Sequence, residues 1–160
     1  MSYRIVFDIA ESGYRGWTYP ALGMIFVVIG VFIAAFRNRL PTRGPRWAAR
    51  TFPFVFLGAS LLWVSATFLS TYGEYLRLRA ALRERTTSVV EGKAERFASA
   101  AQTGSAFESF CVGETCFRYS DYVVTSAFNH THAKGGPVLE GRQVRVTYLG
   151  NAIVRLEVAP

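Results

Sequence analysis

Two cysteines have the spacing that most directly predicts a covalent bond. Cys111 and Cys116 lie in the run FCVGETCF and are the only cysteines of the chain. If Gly113 and Glu114 form a two-residue turn, the cysteines face each other across an antiparallel hairpin, at the separation that a disulfide needs. A disulfide here indicates an oxidising compartment. The alternative is a pair of reduced, partly buried thiols.

The two histidines, His130 and His132, are the candidate metal ligands, and the chain has no others. In an extended segment their spacing places both imidazoles on one face, with Asp121 or a thiolate as a further candidate ligand. Specific metal sites need three or four converging ligands, and no third ligand is fixed by the spacing. We therefore expect solvated loop histidines and no cofactor, with a metal-binding or enzymatic His130/His132 loop as the alternative.

Nucleophilic catalysis would need a set such as Ser120, Asp121 and His130. No G-x-S-x-G signature accompanies these residues, and the chain has no P-loop, no G-x-G-x-x-G and no C-x-x-C motif. We expect Phe117 to Tyr122 to be a strand with an aromatic inner face, in which Asp121 caps the end. The sequence therefore predicts a protein that is not an enzyme.

A long polar segment, Ser126 to Gly141, contains the candidate partner-binding residues. It lies between two predicted strands, and loops of this length in compact domains are often functional. An exposed aromatic group around Phe128 would be suited to docking a protein partner. The candidates are Phe128, Asn129, His130 and His132.

Two uncharged apolar runs, Trp17 to Phe36 and Phe52 to Tyr72, are the elements that would hold this region at a membrane. A helix of about twenty residues is about 30 Å long, the thickness of a bilayer core. Because the connection between the runs is short, we predict an antiparallel transmembrane hairpin. Small residues recur at heptad spacing and either form a close helix seam or reflect ordinary membrane-helix composition. These residues are Gly23, Gly30, Gly58, Ser65, Ala59 and Ala66.

The basic charge is concentrated around the apolar runs. Residues 1–85 hold 11 basic and 4 acidic side chains, which accounts for the net charge of +7, whereas residues 86–160 hold seven of each. A nucleic-acid-binding domain would carry its excess on the folded domain, so we expect no nucleic-acid partner. The connector Arg37 to Thr51 has five arginines, but six basic side chains flank the other ends, and counting alone leaves the orientation open. Charge density and the cysteines favour a bacterial inner-membrane protein with both termini outside the cytoplasm.

The C-terminal half predicts a small all-β domain over residues 86–160, joined to the second span by a helical neck, 73–85. The neck has an apolar stripe of Tyr75, Leu78 and Leu82, and its arginines either meet lipid phosphates or form a solvated face. Because a one-residue slip would mix the faces, we predict a three-residue loop, Leu149 to Asn151, that pairs Val146 with Val154. The expected fold is a five-stranded antiparallel OB-like barrel or sandwich. Its strands are near 87–97, 106–112, 115–124, 143–149 and 152–158.

The chain resembles an uncharacterised bacterial family of small membrane proteins with an extracytoplasmic β-domain. The resemblance rests on two spans followed by a small β-domain and on the ending G-x-x-V-x-V-x-Y-x-x-N, from Gly141 to Asn151. It covers mainly residues 86–158. It implies an architecture and no activity or site residues.

These features together predict a non-enzymatic binding or assembly module. A transmembrane hairpin would anchor the protein and present the β-domain outside the cytoplasm to a protein partner. The protein would be an envelope-complex subunit or a protector that neutralises a toxin. An oligomeric transport component is a further alternative, because a homo-oligomer could build a path from the Ser and Thr faces of its helices. A single hairpin without ionisable residues in its spans is poorly suited to transport.

Overall fold

A computed structural model describes residues 2–37, 45–99 and 104–160. The chain divides into two compact units. One is Gly16–Tyr72, and the other combines Met1–Arg15 with Gly73–Pro160. The second unit is therefore built from both ends of the chain. The predicted connector Arg37 to Thr51 lies partly outside the described residues, because 38–44 are not among them.

Two long helices contain the apolar runs. After the short helix α1 (Ile9–Ser12), α2 spans Thr18–Phe36 and α3 spans Arg46–Arg83. Both α2 and the apolar part of α3 are long and apolar enough to cross a membrane. Large apolar side chains project outward, with Leu62 exposed to 74% and Leu69 to 69%. As predicted for the neck, α3 continues without a break beyond Tyr72 to Arg83.

Two glycines of α2 lie against α3. A Cβ atom placed on Gly23 would lie 2.6 Å from Cγ2 of Val64, and one on Gly30 would lie 3.2 Å from Cα of Leu57. Gly58, on α3, has open space where its Cβ would be. The α2 glycines therefore allow the close approach of the two helices. Gly58 does not contribute to this close approach.

The second unit is built on one six-stranded antiparallel sheet in the order β1-β6-β5-β2-β3-β4. The strands are β1 (Arg4–Asp8), β2 (Ser88–Ala98), β3 (Glu108–Val112), β4 (Thr115–Tyr119), β5 (Gln143–Leu149) and β6 (Ala152–Val158). The predicted antiparallel β-domain is therefore present. The sheet has six strands and is not closed, so the predicted five-stranded OB-like barrel or sandwich is not what the described residues form. The strand that the sequence did not predict is β1, which is only five residues long and precedes the first apolar run, in the segment predicted to be an N-terminal tail.

The β5–β6 hairpin corrects the predicted register. Leu149 pairs with Ala152, which leaves the two-residue turn Gly150-Asn151 instead of a three-residue loop. Gly150 has a φ of 61°, as the first central residue of a II′ turn requires. An irregularity after Thr147 then pairs Val146 with Leu156. This β-bulge restores the apolar face that a regular two-residue hairpin would have mixed.

The core of this unit lies between the sheet and the neck of α3. Val144, Val146 and Leu156 of the central strands are fully buried, and Phe110 and Phe117 extend the core toward β4. From the predicted neck stripe, Tyr75 and Leu78 are buried in this core and Leu82 packs against it. The neck is therefore fixed to the sheet by its apolar stripe, which leaves its arginines on the other faces.

The strand predicted over 115–124 is shorter than expected. β4 ends at Tyr119, and the fully buried Ser120 accepts a hydrogen bond from the Tyr122 N–H, 3.2 Å away. Such a local side-chain bond competes with the strand ladder. The chain from Ser120 to Arg142 is consequently a long connection, interrupted by one 3₁₀ turn at His132–Lys134.

Candidate functional site

The cysteines form the predicted disulfide. Cys111 lies directly opposite Cys116 in the β3–β4 hairpin, and the two sulfur atoms are bonded. The turn is Gly113-Glu114, with Gly113 at a φ of 59°. Cys111 is buried, whereas Cys116 faces the surface on the last strand of the sheet.

Two buried carboxylates hold the long connection in place. Glu108, 1% exposed, accepts the His132 backbone N–H at 2.7 Å. Asp121 accepts both the backbone N–H, at 3.3 Å, and the hydroxyl of Thr131. Because these bonds join strand β3 and the end of β4 to the middle of the connection, the segment around Thr131 has a fixed conformation.

The hydroxyl of Tyr119 completes the environment of Glu108. Burial of the phenol, the negative charge of Glu108 and the hydrogen bond to that carboxylate raise the pKa of Tyr119 far above its ordinary value of 10.0. The phenol thus stays protonated and donates to Glu108. This arrangement stabilises the inside of the domain and exposes no reactive group.

The two histidines have separate surroundings. In the exposed side chain of His130, Nδ1 lies 3.8 Å from Asp121, and Nε2 lies 3.2 Å from an Arg15 guanidinium nitrogen. His132 places Nδ1 at 3.3 Å from the carbonyl oxygen of Gly136. Among residues 2–37, 45–99 and 104–160, no group of three or more His, Cys, Asp or Glu side chains is arranged to hold a metal ion.

The residues considered for nucleophilic catalysis come together only in part. Asp121 and His130 are neighbours, but Ser120 is 0% exposed and its hydroxyl accepts the Tyr122 N–H. A nucleophile must reach substrate. The position of Ser120 therefore gives no support to a Ser–His–Asp site.

Phe128 does not occupy the exposed position expected for it. It is 4% exposed, and its ring packs edge-on against Phe7 of β1 and Tyr119 of β4, at 5.7 and 5.3 Å between centroids. Its backbone N–H donates to the carbonyl of Ile153 at 2.9 Å. The expectation failed because the tail that supplies Phe7 was not assigned to the sheet. Asn129 is half-buried and donates to the carbonyl of Val123 at 3.1 Å.

A cavity of about 450 Å³, here called the β4 cavity, opens beside the end of β4. Its lining includes buried Tyr119, Ser120 and Phe128, aliphatic side chains of the chain after β4, and Asn151 at the β5–β6 turn. Pockets of this size with mixed apolar and polar walls are the usual form of binding sites. The lining residues are Glu74, Phe107, Arg118, Tyr119, Ser120, Val123, Val124, Thr125, Ala127, Phe128, Asn129, Asn151 and Ala152.

The polar groups of the β4 cavity are held in position. The Arg118 guanidinium lies 4.1 Å above the ring centroid of Phe107, a cation–π contact. The Thr125 hydroxyl donates to Glu74 at 2.8 Å. The cavity therefore presents one fixed cation and one fixed carboxylate beside aliphatic side chains.

Strand β4 is one edge of the sheet in the part of the chain that the structure describes. In a two-residue hairpin the residues next to the turn exchange hydrogen bonds, so the backbone groups of Cys116 and Arg118 point away from β3. The Arg118 carbonyl indeed faces outward, where it accepts from the Asn151 side chain at 3.3 Å. The N–H groups of Cys116 and Arg118 thus face the open side of β4.

On the other half of the sheet, charged side chains join three neighbouring strands. Arg145 of β5 contacts Glu91 of β2 at 2.8 Å and Glu157 of β6 at 3.2 Å. The Tyr3 hydroxyl donates to Glu91 at 2.7 Å. The hydrogen bonds from Tyr3 and from Arg145 both lower the pKa of Glu91. Exposed pairs of this kind contribute little individually, and they fix register more than they provide a site.

Sequence reasoning missed Glu74, Arg118 and Asn151 as site residues. No motif marks them, because they come from the neck, β4 and a turn that meet only in the folded unit. The available signal was Arg118 itself, which alternates outward between inward Phe117 and Tyr119 on a strand. No family model matches the chain, and neither a curated protein nor a solved structure matches it. The resemblance to the uncharacterised bacterial family stays a prediction.

Proposed function

We propose that the protein is a membrane-anchored, non-enzymatic binding module whose β4 edge and β4 cavity take up an extended segment of a protein partner. The carrying observation is the β4 cavity beside an edge strand. An added strand would pair with the outward N–H groups of Cys116 and Arg118, and one of its side chains would enter the cavity. The fixed Arg118 cation favours a segment with an acidic residue next to an apolar one.

Anchoring through a two-span hairpin is supported by the segments of the chain that form the sheet. Arg4 of β1 pairs with Val158 of β6, so both ends of the chain belong to one sheet. Residues on opposite sides of a bilayer cannot pair in this way. The intervening Gly16–Tyr72 unit, with its two long apolar helices, must therefore cross lipid an even number of times if it crosses at all.

The disulfide supports the side on which this unit lies. Cys111 and Cys116 are bonded, and such bonds persist in oxidising compartments. We therefore place both termini and the sheet outside the cytoplasm of a bacterial inner membrane. An envelope-complex subunit and a toxin-neutralising protector both fit this arrangement.

The binding surface is tested by photo-crosslinking in intact cells. A photoactivatable residue replaces Val123, which lines the β4 cavity and is 40% exposed, or Val89 of β2, which is 60% exposed and lies elsewhere. We expect a defined crosslinked partner from position 123 and none from position 89. Equal crosslinking from both positions, or none from 123, would contradict the proposed surface.

A charge reversal in the same cells tests the role of Arg118. We expect Arg118→Glu to reduce recovery of that crosslinked partner at least about tenfold, since interface arginines are frequent binding hot spots. Arg142→Glu is the matched control, because Arg142 is exposed and does not line the cavity. If both reversals leave recovery unchanged, the partner does not use the cation that the cavity presents.

A further inference from the structure

A groove along the neck of α3 differs from the β4 cavity in position and in charge. It has a volume of about 830 Å³. It is lined by side chains from successive turns of α3 and by Ala10 of α1. Its apolar wall comes from Leu76, Ala80 and Leu82, and its cations are Arg79 and Arg83. Glu84 lies at the end of the same groove.

The two arginines of this neck groove are four residues apart on α3 and line the same groove. Residues four apart in a helix have Cβ atoms about 5–6 Å apart on the same face, so both guanidinium groups can contact a single phosphate. Arg79 lies over the Tyr75 ring, with its guanidinium carbon 5.9 Å from the centroid. Among the described residues, no ion pair involves Arg79 or Arg83. Their charge therefore remains available to a ligand.

The position of the groove along α3 fits the headgroup layer. Arg79 is seven residues beyond Tyr72, where the apolar run ends, which is about 10 Å along a helix. Side chains of a helix lean toward its N-terminus, so the guanidinium groups of Arg79 and Arg83 extend back toward the apolar run. The headgroup region beyond the hydrocarbon core is roughly 5–8 Å thick on each side. Leu76, 46% exposed, lies between these cations and the apolar run.

We infer that the neck groove is a binding site for an anionic phospholipid, with the phosphate held by Arg79 and Arg83 and the upper acyl chain against Leu76. This inference rests on the membrane anchoring of the proposed function. The two cations supply the charge complementarity, and the apolar wall selects a lipid over a free phosphate. The neck would then be fixed to the membrane surface by a lipid as well as by the sheet.

The test uses the full-length protein reconstituted in nanodiscs of equal parts phosphatidylcholine and phosphatidylglycerol. Native mass spectrometry measures the ratio of the two lipids that stay bound. We expect the wild-type protein to retain phosphatidylglycerol preferentially, and Arg79→Gln/Arg83→Gln to lower that preference at least about tenfold, since each replacement removes a charge-assisted hydrogen bond to the bound phosphate. Arg77→Gln/Arg85→Gln makes the same change of charge on the same segment outside the groove and is expected to lower it less than about threefold.

Two outcomes of the nanodisc measurement would contradict the inference. Equal losses in the two double variants would mean general surface attraction, and no preference in the wild-type protein would mean no site. A soluble short-chain phosphatidylglycerol should also bind to the detergent-solubilised protein, and more weakly to Leu76→Ser; displacement by millimolar inorganic phosphate alone would show an anion site without lipid selectivity. Recovery of folded protein from the soluble fraction without detergent would overturn the anchoring itself. An anchored protein without a lipid preference overturns only this inference.

Discussion

Buried acidic side chains fix the conformation of the long connection after β4. They do so by accepting hydrogen bonds from hydroxyl and N–H groups. Glu108 and Asp121 each accept hydrogen bonds from the segment around Thr131, and Tyr119 donates to Glu108. A buried carboxylate that loses a donor is left partly unsatisfied, at a cost of about 1–3 kcal/mol. These residues therefore act on the shape of the β4 cavity, because the connection supplies much of its wall.

Replacing Tyr119 by Phe should destabilise the sheet unit by about 1–2 kcal/mol at neutral pH, because it removes one hydrogen bond to Glu108. The pKa of Tyr119 is raised in the folded protein, so its contribution is complete below pH 10 and declines as the pH rises beyond that value, where the unfolded phenol ionises. The difference between wild-type protein and Tyr119→Phe should consequently narrow as the pH rises from about 10 to about 12. Thermal unfolding in detergent across this range measures it.

Tyr122→Phe is the control for this experiment, since Tyr122 is 75% exposed and lies outside the Glu108 environment. We expect no change in its midpoint at any of these pH values. A constant difference between wild-type protein and Tyr119→Phe across the range would mean that the phenol does not resist ionisation as described.

Helix pairing within the Gly16–Tyr72 unit depends on two glycines. A Cβ on Gly23 or Gly30 would meet Val64 or Leu57 of α3 at 2.6 or 3.2 Å. We expect Gly23→Ala/Gly30→Ala to weaken the packing of α2 on α3 by about 1–3 kcal/mol, the usual cost of overpacking. Unfolding by a denaturing detergent, followed by tryptophan fluorescence, reports the change.

Gly58→Ala provides the matched comparison, because its added methyl group meets open space. It should leave stability unchanged or raise it slightly through helix propensity. If the double variant were as stable as Gly58→Ala, the α2 seam would have no energetic role.

The strands and helices show what could be predicted and what could not. Both apolar helices, the continuation into the neck and the Cys111–Cys116 pairing were predictable, because each is a local pattern of period or spacing. Strand β1 was not, since five residues with Ile5 and Val6 half-exposed carry little signal, and its partner β6 is distant in sequence. The same omission left Phe128 without its neighbour Phe7, so a core residue was expected at the surface.

The register of β5 and β6 illustrates a different limit of prediction from sequence patterns. Keeping one apolar face was the correct requirement, but a three-residue loop and a two-residue turn with a bulge both satisfy it. The choice depends on packing of Val154 and Leu156 in the core, which no short-range pattern records. The β4 cavity was unpredictable for the same reason, because its walls come from five separate segments.

For the whole molecule, the proposed membrane anchoring and the sheet shared by β1 and β6 together predict that positions 2 and 160 are accessible from the same side of the membrane. Single cysteines at Ser2 or Pro160, in a Cys111→Ser/Cys116→Ser background, should react with an impermeant maleimide in intact spheroplasts. A cysteine at Pro45, between α2 and α3, should react only after permeabilisation. Mass shifts on a gel report the labelling.

Two contrary results have different meanings. Labelling of positions 2 and 160 from opposite sides would contradict the two-span hairpin. Labelling of both only after permeabilisation, with Pro45 accessible throughout, would keep the hairpin and reverse its side.

The pairing of β1 with β6 also governs the order in which the protein can be made. Arg4 leaves the ribosome long before Val158, yet they are partners in one ladder. In the proposed membrane arrangement, the first strand stays unpaired while both helices insert and the rest of the chain is exported. Because such distant contacts form slowly and β6 is needed to pair with β1, the sheet cannot be completed before β6 has been made, and nascent chains truncated before Ala152 should remain open to protease.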